Sequence, residues 1–349
     1  MVPPWTPASD DGRIHVAFVD SRTPLNVHKL LLAARLYNTS TRVQLHAVVK
    51  NTRVSLPGFR VHELRLRSHA ACIHRGFAAL THGPGAEYMY KPLLHWIIPD
   101  DVKRLIVVDH DTILVRPIGE LWAEFERFGG ALIGVGNEQT IMYQQASNWT
   151  QTGKNGGVQL LDLAAMRASA DYANFLDSVA SGEQGYIGFL GDQTLYTRMT
   201  GNSSHSRFLY NLPCQWNRQL SLHFSARNAS VHRCGKRCGI MHANWQDVKC
   251  LAPLMQQNAT CANWKLLQTT AFESTCPGKH RGKDLLTYVR AYHADCCIGT
   301  PLGVREGVRE GVREGVREGV RAEKGEGGLG RGLKRGLGKG LGRGHKRRA

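Results

Sequence analysis

Lys103-Arg104-Leu105-Ile106-Val107-Val108-Asp109-His110-Asp111-Thr112-Ile113-Leu114-Val115-Arg116-Pro117 is the stretch on which the reading of this chain turns. A run of apolar residues ends abruptly in two aspartates one residue apart. Such a run predicts a strand buried on both faces, as in a parallel sheet covered by helices. A strand of that kind has no place for an unpaired carboxylate. Asp109 and Asp111 therefore belong at or just past its end. Open α/β sheets bind ligands at the carboxyl ends of their strands. Two carboxylates there suit a hard divalent ion, Mn²⁺ or Mg²⁺, which takes oxygen ligands and bridges to a diphosphate. The competing reading is a pair of solvated acids in an exposed loop, and the spacing alone does not separate the two.

Working outward, further short apolar runs at His15 to Asp20, Val43 to Val49, Ala131 to Val135 and Val158 to Leu163 predict strands, and the alternation of Arg60 to Leu66 predicts a half-exposed one. Helical periodicity predicts helices over Asn26 to Tyr37, Tyr88 to Ile98, Pro117 to Phe128, Ala164 to Ser181 and Asp192 to Met199. Leu209 to Trp216 and Gly239 to His242 read as short extended segments. The alternation of strand and helix predicts an α/β fold with a Rossmann-like, mostly parallel central sheet flanked by helices.

A composition of 42% hydrophobic and 21% charged residues is that of a globular chain with a core. The net charge of +17 is unevenly placed: residues 303–349 hold 14 Lys/Arg against 6 Asp/Glu. The remaining body is modestly basic, which suits an anionic substrate such as a nucleotide sugar and does not call for nucleic acid. We expect residues 1–12 to be a disordered segment, 13–275 one domain, 276–302 an extension and 303–349 a low-complexity basic Gly/Arg tail. Gly303 to Arg321 repeats Gly-Val-Arg-Glu, and glycine at that density prevents a stable helix. A solvated tail is the favoured reading, with an RNA-binding arm as the alternative.

No run of about 18 apolar residues predicts a transmembrane helix, and the first residues lack the basic and apolar regions of a signal peptide. Membrane attachment would come only through an anchor not present in this sequence. Sequons at Asn38, Asn148, Asn202, Asn228 and Asn258, together with 9 cysteines, point to a Golgi or ER lumenal domain. A cytoplasmic protein with incidental sequons is the alternative. Cys214, Cys234, Cys238, Cys250, Cys261 and Cys276 predict a disulfide-stapled C-terminal part, whose pairing spacing cannot give. A zinc site on Cys234, Cys238, Cys250 and Cys261 is the competing reading. Cys72 stands apart and is expected to be a small buried residue.

Four further sites could serve the two aspartates. Lys91, on the helix before the acidic strand, could reach a phosphate, though a surface lysine is the commoner case. Asn155-Gly156-Gly157 could let a ligand approach the backbone closely, or be simply a tight turn. Asp192 opens a helix and could be its N-cap, while Gln193 beside it offers a donor and an acceptor to a sugar. His242 follows a short apolar run, as the aspartates do, and is a candidate third metal ligand; a core histidine is the ordinary alternative.

In order and spacing, these motifs resemble glycosyltransferase family 8, the retaining, metal-dependent sugar transferases. The likeness rests on Lys91, Val107-Val108-Asp109-His110-Asp111, Pro117-Ile118-Gly119-Glu120-Leu121-Trp122, Asn155-Gly156-Gly157-Val158, Gly191-Asp192-Gln193, Leu212-Pro213-Cys214-Gln215-Trp216-Asn217 and Ile240-Met241-His242. The Pro-Cys-Gln-Trp-Asn run points to the branch of LARGE-like and glucoside xylosyltransferases. The resemblance implies a GT-A fold, a UDP-sugar donor with xylose first, and a glycan or glycoprotein acceptor. It implies Mn²⁺, with Mg²⁺ possible, on Asp109, Asp111 and His242. Phe18, Val19 and Asp20 would cradle the uridine. Lys91 would contact phosphate or sugar, with His110 and Lys249 nearby. Asn155, Gly157, Asp192 and Gln193 would line the donor sugar, the last two as candidate catalytic groups. The chain departs from the pattern at His110, where a small or apolar residue is usual. It departs again at Gly156, where Ser or Thr is usual, and at Trp245, where glycine is usual, with the expected lysine displaced to Lys249. The contrasting expectation is a degenerate glycan-binding protein or a nucleic-acid binder acting through its tail.

Overall fold

The computed structural model describes residues 11–20, 42–50, 56, 58–66, 68–82, 85–109, 111–114, 116–139, 153–185, 187–188, 190–219, 234 and 238–242. All of them lie in the first of two units, Met1–Thr300. The helix expected over residues 26–37, His110, Lys249, the N-terminal segment, the extension and the tail fall outside the described residues.

The described strands are β1 (Ile14–Asp20), β2 (Val43–Val49), β3 (Phe59–Glu63), β4 (Arg104–Val108), β5 (Thr112–Leu114), β6 (Ile133–Asn137), β7 (Lys154–Asp162), β8 (Leu209–Asn211), β9 (Arg218–Gln219) and β10 (Ile240–His242). Seven of them form the main sheet in the order β3-β2-β1-β4-β7-β6-β8. All run parallel except β7, which is antiparallel to both β4 and β6. This is the mostly parallel α/β sheet that the alternation of elements predicts.

Burial on both faces explains the apolar run at its centre. Leu105 and Val107 of β4 pack on one side with Leu161, Ile73, Phe77, Tyr172, Leu176 and Leu195. Ile106 and Val108 pack on the other with Val158, Leu160, Leu121, Trp122, Trp216 and Ile240. Each such side chain contributes roughly 1.5–3 kcal/mol by leaving water. The first face is covered by α1 (Ser68–Ala79), α3 (Leu163–Ala168), α4 (Ala170–Ala180) and α5 (Asp192–Thr200), the second in part by α2 (Ile118–Trp122).

Several segments differ from expectation for identifiable reasons. Residues 88–98 do not form an α-helix, because Pro92 has no N–H to return to the Tyr88 carbonyl. A single turn at Gly85–Tyr88 is followed by a 3₁₀ helix at Lys91–Trp96. The Arg167 guanidinium clamps the end of that 3₁₀ helix and the turn after it, donating to the carbonyls of His95, Ile98, Pro99 and Val102. The helix expected from Pro117 to Phe128 is α-helical only to Trp122 and 3₁₀ over Ala123–Arg127. The one expected from Ala164 to Ser181 breaks at Ser169, which is extended and caps α4 by accepting from Tyr172 N–H. Cys72 is exposed on α1, not buried. Cys234 is bonded to Cys214, which removes it from any zinc site. Cys238 is disulfide-bonded as well.

The second sheet is small and decisive for the site. Strands β5, β10 and β9 lie in that order. Antiparallel pairing of β5 with β10 sets His242 opposite Thr112, and parallel pairing of β10 with β9 sets it beside Gln219.

Candidate metal and donor site

At the end of β4 the chain turns. The Thr112 N–H and hydroxyl both donate to the Asp109 carbonyl, the hydroxyl at 2.7 Å. β5 then leaves in a new direction, with Asp111 at the turn. Because β10 pairs with β5, His242 arrives at the same place. Ligand atoms of Asp109, Asp111 and His242 all lie within 4.8 Å of one another, and His242 Nε2 is 3.4 Å from Asp111 Oδ1. Ligands held at about 2.1 Å lie up to about 4.2 Å apart across an octahedral ion, so a sub-ångström adjustment closes this set. Two carboxylate donors and one imidazole fit a hard or borderline divalent cation.

The glycines of Asn155-Gly156-Gly157 admit side chains of this chain. A Cβ on Gly157 would sit 2.1 Å from His242 Cε1, and one on Gly156 would sit 2.5 Å from Asp192 Oδ2. The register of β6 against β7 slips here, from Val135↔Gln159 to Gly136↔Asn155. Such an irregularity frees backbone groups to point elsewhere. Gly157 uses its carbonyl to accept from Asp109 N–H at 2.8 Å. Gly156 uses its own to accept from Lys91 Nζ and Gln159 Nε2, each at 2.9 Å.

Lys91 is only 4% exposed and is committed to this framework. Its ammonium donates to Asp109 Oδ1 at 2.7 Å and lies 3.7 Å from Asp192 Oδ2. Burial opposes the charge, but Asp109 and Asp192 more than offset it and hold Lys91 above the usual lysine range. Burial pushes the Asp192 carboxyl up, against the pull of Lys91. Asp192 is the first residue of α5, not its cap, which is Gly191. Its Oδ2 accepts from Gln159 Nε2 at 2.7 Å and its Oδ1 from Gln193 N–H at 3.0 Å. Gln193 is half-buried. Phe18 is 1% exposed with its ring against Phe59, so at the end of β1 this ring is taken up by the core. Val19 packs partly against the core, and Asp20 ends β1.

Sequence reasoning assigned no role to Glu138, Gln159, Tyr196 or Asn217, all of which the site uses. Tyr196 donates its hydroxyl to Gln159 Oε1 at 2.9 Å, which turns the Gln159 amide towards Asp192. Asn155 does not face open space: its amide is taken up by Glu138, Asn217 and Gly157. The Gln-Trp-Asn run was the one signal that could have flagged Asn217.

With this geometry in view, the architecture is that of the GT-A glycosyltransferases. The structure of mouse xyloside xylosyltransferase 1 in its apo form superposes with a TM-score of 0.50 at 23% identity, covering 66% of this chain and 98% of that one. The galactosyltransferase LgtC, solved with donor and acceptor sugar analogues, matches with a TM-score of 0.50 at 13% identity over 77% of this chain and 98% of that one. In sequence, xyloside xylosyltransferase 1 of Mus musculus is 30% identical over 178 residues, 43% of this chain and 45% of the relative. Xylosyl- and glucuronyltransferase LARGE1 of Homo sapiens is 28% identical over 172 residues, 47% of this chain and 22% of the relative. The matched stretch thus spans less than half the length of these relatives. No family model matches the chain.

Proposed function

We propose that this protein is a retaining, metal-dependent glycosyltransferase that moves a sugar from a UDP-sugar, xylose first, to a glycan or glycoprotein acceptor. The observation that carries the reading is the convergence of Asp109, Asp111 and His242 at the carboxyl end of β4. The likeness to xyloside xylosyltransferase 1 and LARGE1 supports the choice of xylose. Asp109, Asp111 and His242 would hold Mn²⁺, or Mg²⁺ in its place. When bound, such an ion supplies Lewis-acid neutralisation of a departing diphosphate.

The remaining work falls to the chain itself. Lys91, itself buried, holds the half-buried Asp109 in place through an ion pair. The backbone at Phe18, Val19 and Asp20 receives the uridine. Gly157 lets the imidazole close on the aspartates. Asp192 and Gln193 lie on the sugar side: Asp192 fixes the start of α5, and the more exposed Gln193 offers its amide to the reacting sugar. Electrostatic stabilisation of the departing diphosphate is usually the largest single contribution in such a transfer. A lumenal compartment, Golgi or ER, suits the Cys214–Cys234 disulfide.

The test is release of UDP from a panel of UDP-sugars, with and without Mn²⁺, using xylosides and glucosides as acceptors. We expect turnover with UDP-xylose that EDTA abolishes, and a loss of at least a hundredfold in Asp109→Ala. No turnover or binding of any UDP-sugar, with Asp109→Ala matching the parent, would overturn it.

A further inference from the structure

We infer that Asn217 and Glu138 are positioning residues that fix the tautomer and ring plane of His242, through a hydrogen-bond chain whose direction is set by the backbone N–H of Gly157. The inference deepens the metal reading above and rests on it only for its affinity arm.

The chain has four buried side chains: Glu138 is 2% exposed, Asn155 1%, Asn217 1% and His242 3%. Its direction comes from one group that cannot be turned around. A backbone N–H only donates, and that of Gly157 points at the Asn155 side chain at 3.0 Å, so the atom facing it is the acceptor Oδ1. The same Oδ1 lies 2.8 Å from the Asn217 amide, which must therefore present its Nδ2. That leaves Asn217 Oδ1 towards His242 Nδ1, at 2.9 Å. An amide oxygen only accepts, so a proton sits on Nδ1, and Nε2 is the ring nitrogen turned towards Asp111. At the other end, Asn155 Nδ2 donates to Glu138 Oε2 at 2.8 Å, and the carboxylate holds the amide in the orientation the chain needs. Metal-binding histidines have their tautomer set by the partner of the second ring nitrogen, and removing that partner costs ten- to a hundredfold in affinity.

Two measurements decide it. The first needs neither metal nor variant: ¹⁵N spectra of histidine-labelled, EDTA-treated protein at pH 8 report which ring nitrogen of His242 carries the proton. We expect Nδ1 to carry a proton; an Nδ1 without one overturns the proposal. The second is Mn²⁺ affinity, read from free Mn²⁺ by electron paramagnetic resonance. Asn217→Leu should weaken it at least tenfold. Asn217→Asp should not rescue it, because a carboxylate would face Asn155 Oδ1, which the Gly157 N–H holds in place. Were Asn217 merely an acceptor for the imidazole, aspartate would bind the metal as well as asparagine or better, and that result overturns the chain. Glu138→Gln, which can still present an oxygen to Asn155, should stay within about threefold of the parent, while Glu138→Leu should match Asn217→Leu. A parent that binds no Mn²⁺ would sink the metal reading, and the tautomer would still decide the chain on its own.

Discussion

Gly157 meets three demands at once. Its N–H sets the direction of the chain to His242, its carbonyl anchors Asp109 N–H, and its missing Cβ is the space the imidazole fills. Gly157→Ala is therefore expected to act on the metal site before it acts on the fold. The added methyl has to displace His242, and overpacking of this kind costs about 1–3 kcal/mol. We expect Mn²⁺ affinity to fall more than tenfold, with a Tm only a few degrees below the parent by differential scanning fluorimetry. Unchanged Mn²⁺ affinity would show that His242 does not depend on the close approach. Sequence alone marks Gly157 as a place where something comes near the backbone. It does not say what, because the partner is brought by a strand pairing 85 residues further along the chain.

At the scale of elements, β1, β2 and β3 carry a second polar chain apart from the candidate metal site. His15 Nδ1 lies 2.9 Å from His46 Nε2, and His46 Nδ1 lies 2.9 Å from His62 Nε2, with Asp11 at 3.3 Å from His15 Nε2. Burial, then the neighbouring imidazoles and Arg60, pushes His46 down to about 3; burial, then Arg60, pushes His62 down to about 4. Asp101 acts weakly the other way on both. A histidine whose folded pKa is depressed leaves the unfolded chain to take up the proton first. The stability it contributes is complete above about 6.5 and is lost as pH falls towards the folded value. Each such group adds a slope of about 1.4 kcal/mol per pH unit in that window. Urea unfolding from pH 7 to pH 4 should show that slope flattened by about one group in His46→Gln; an unchanged slope would remove His46 as its source. Where elements were legible, the reason is equally physical. Arg104–Val108 was readable because both of its faces are buried, so its run is apolar without interruption. The helix Ser68–Ala79 was missed because only Ala70, Ile73 and Phe77 of its twelve residues are buried. β7 begins at Lys154 and not at Val158, since its glycines read as a turn although they lie in the strand. Strands of two or three residues, such as β5 and β9, are made by tertiary pairing and leave little local pattern to read.

At the scale of the whole molecule, a disulfide lies on the path from the main sheet to the candidate metal site. Cys214 opens the 3₁₀ turn that carries Asn217, and its bond to Cys234 closes a loop of 20 residues between the main sheet and β10. A loop of that length predicts about 3 kcal/mol of stabilisation. Replacing both cysteines, Cys214→Ser with Cys234→Ser, should lower Tm by several degrees and weaken Mn²⁺ binding, as Asn217 loses its anchor. A variant with the parent's Tm and affinity would confine the disulfide to a passive role. The order of the strands along the chain has a consequence for biosynthesis. All seven strands of the main sheet are complete by Asn211, while His242 belongs to the last strand described. During synthesis from the N-terminus, the sheet can assemble while the two aspartates still wait for their third partner. On the proposed metal reading, competence to hold an ion would thus arrive late, after the scaffold. In a nascent chain ending before Ile240, the third side chain of the set is still missing.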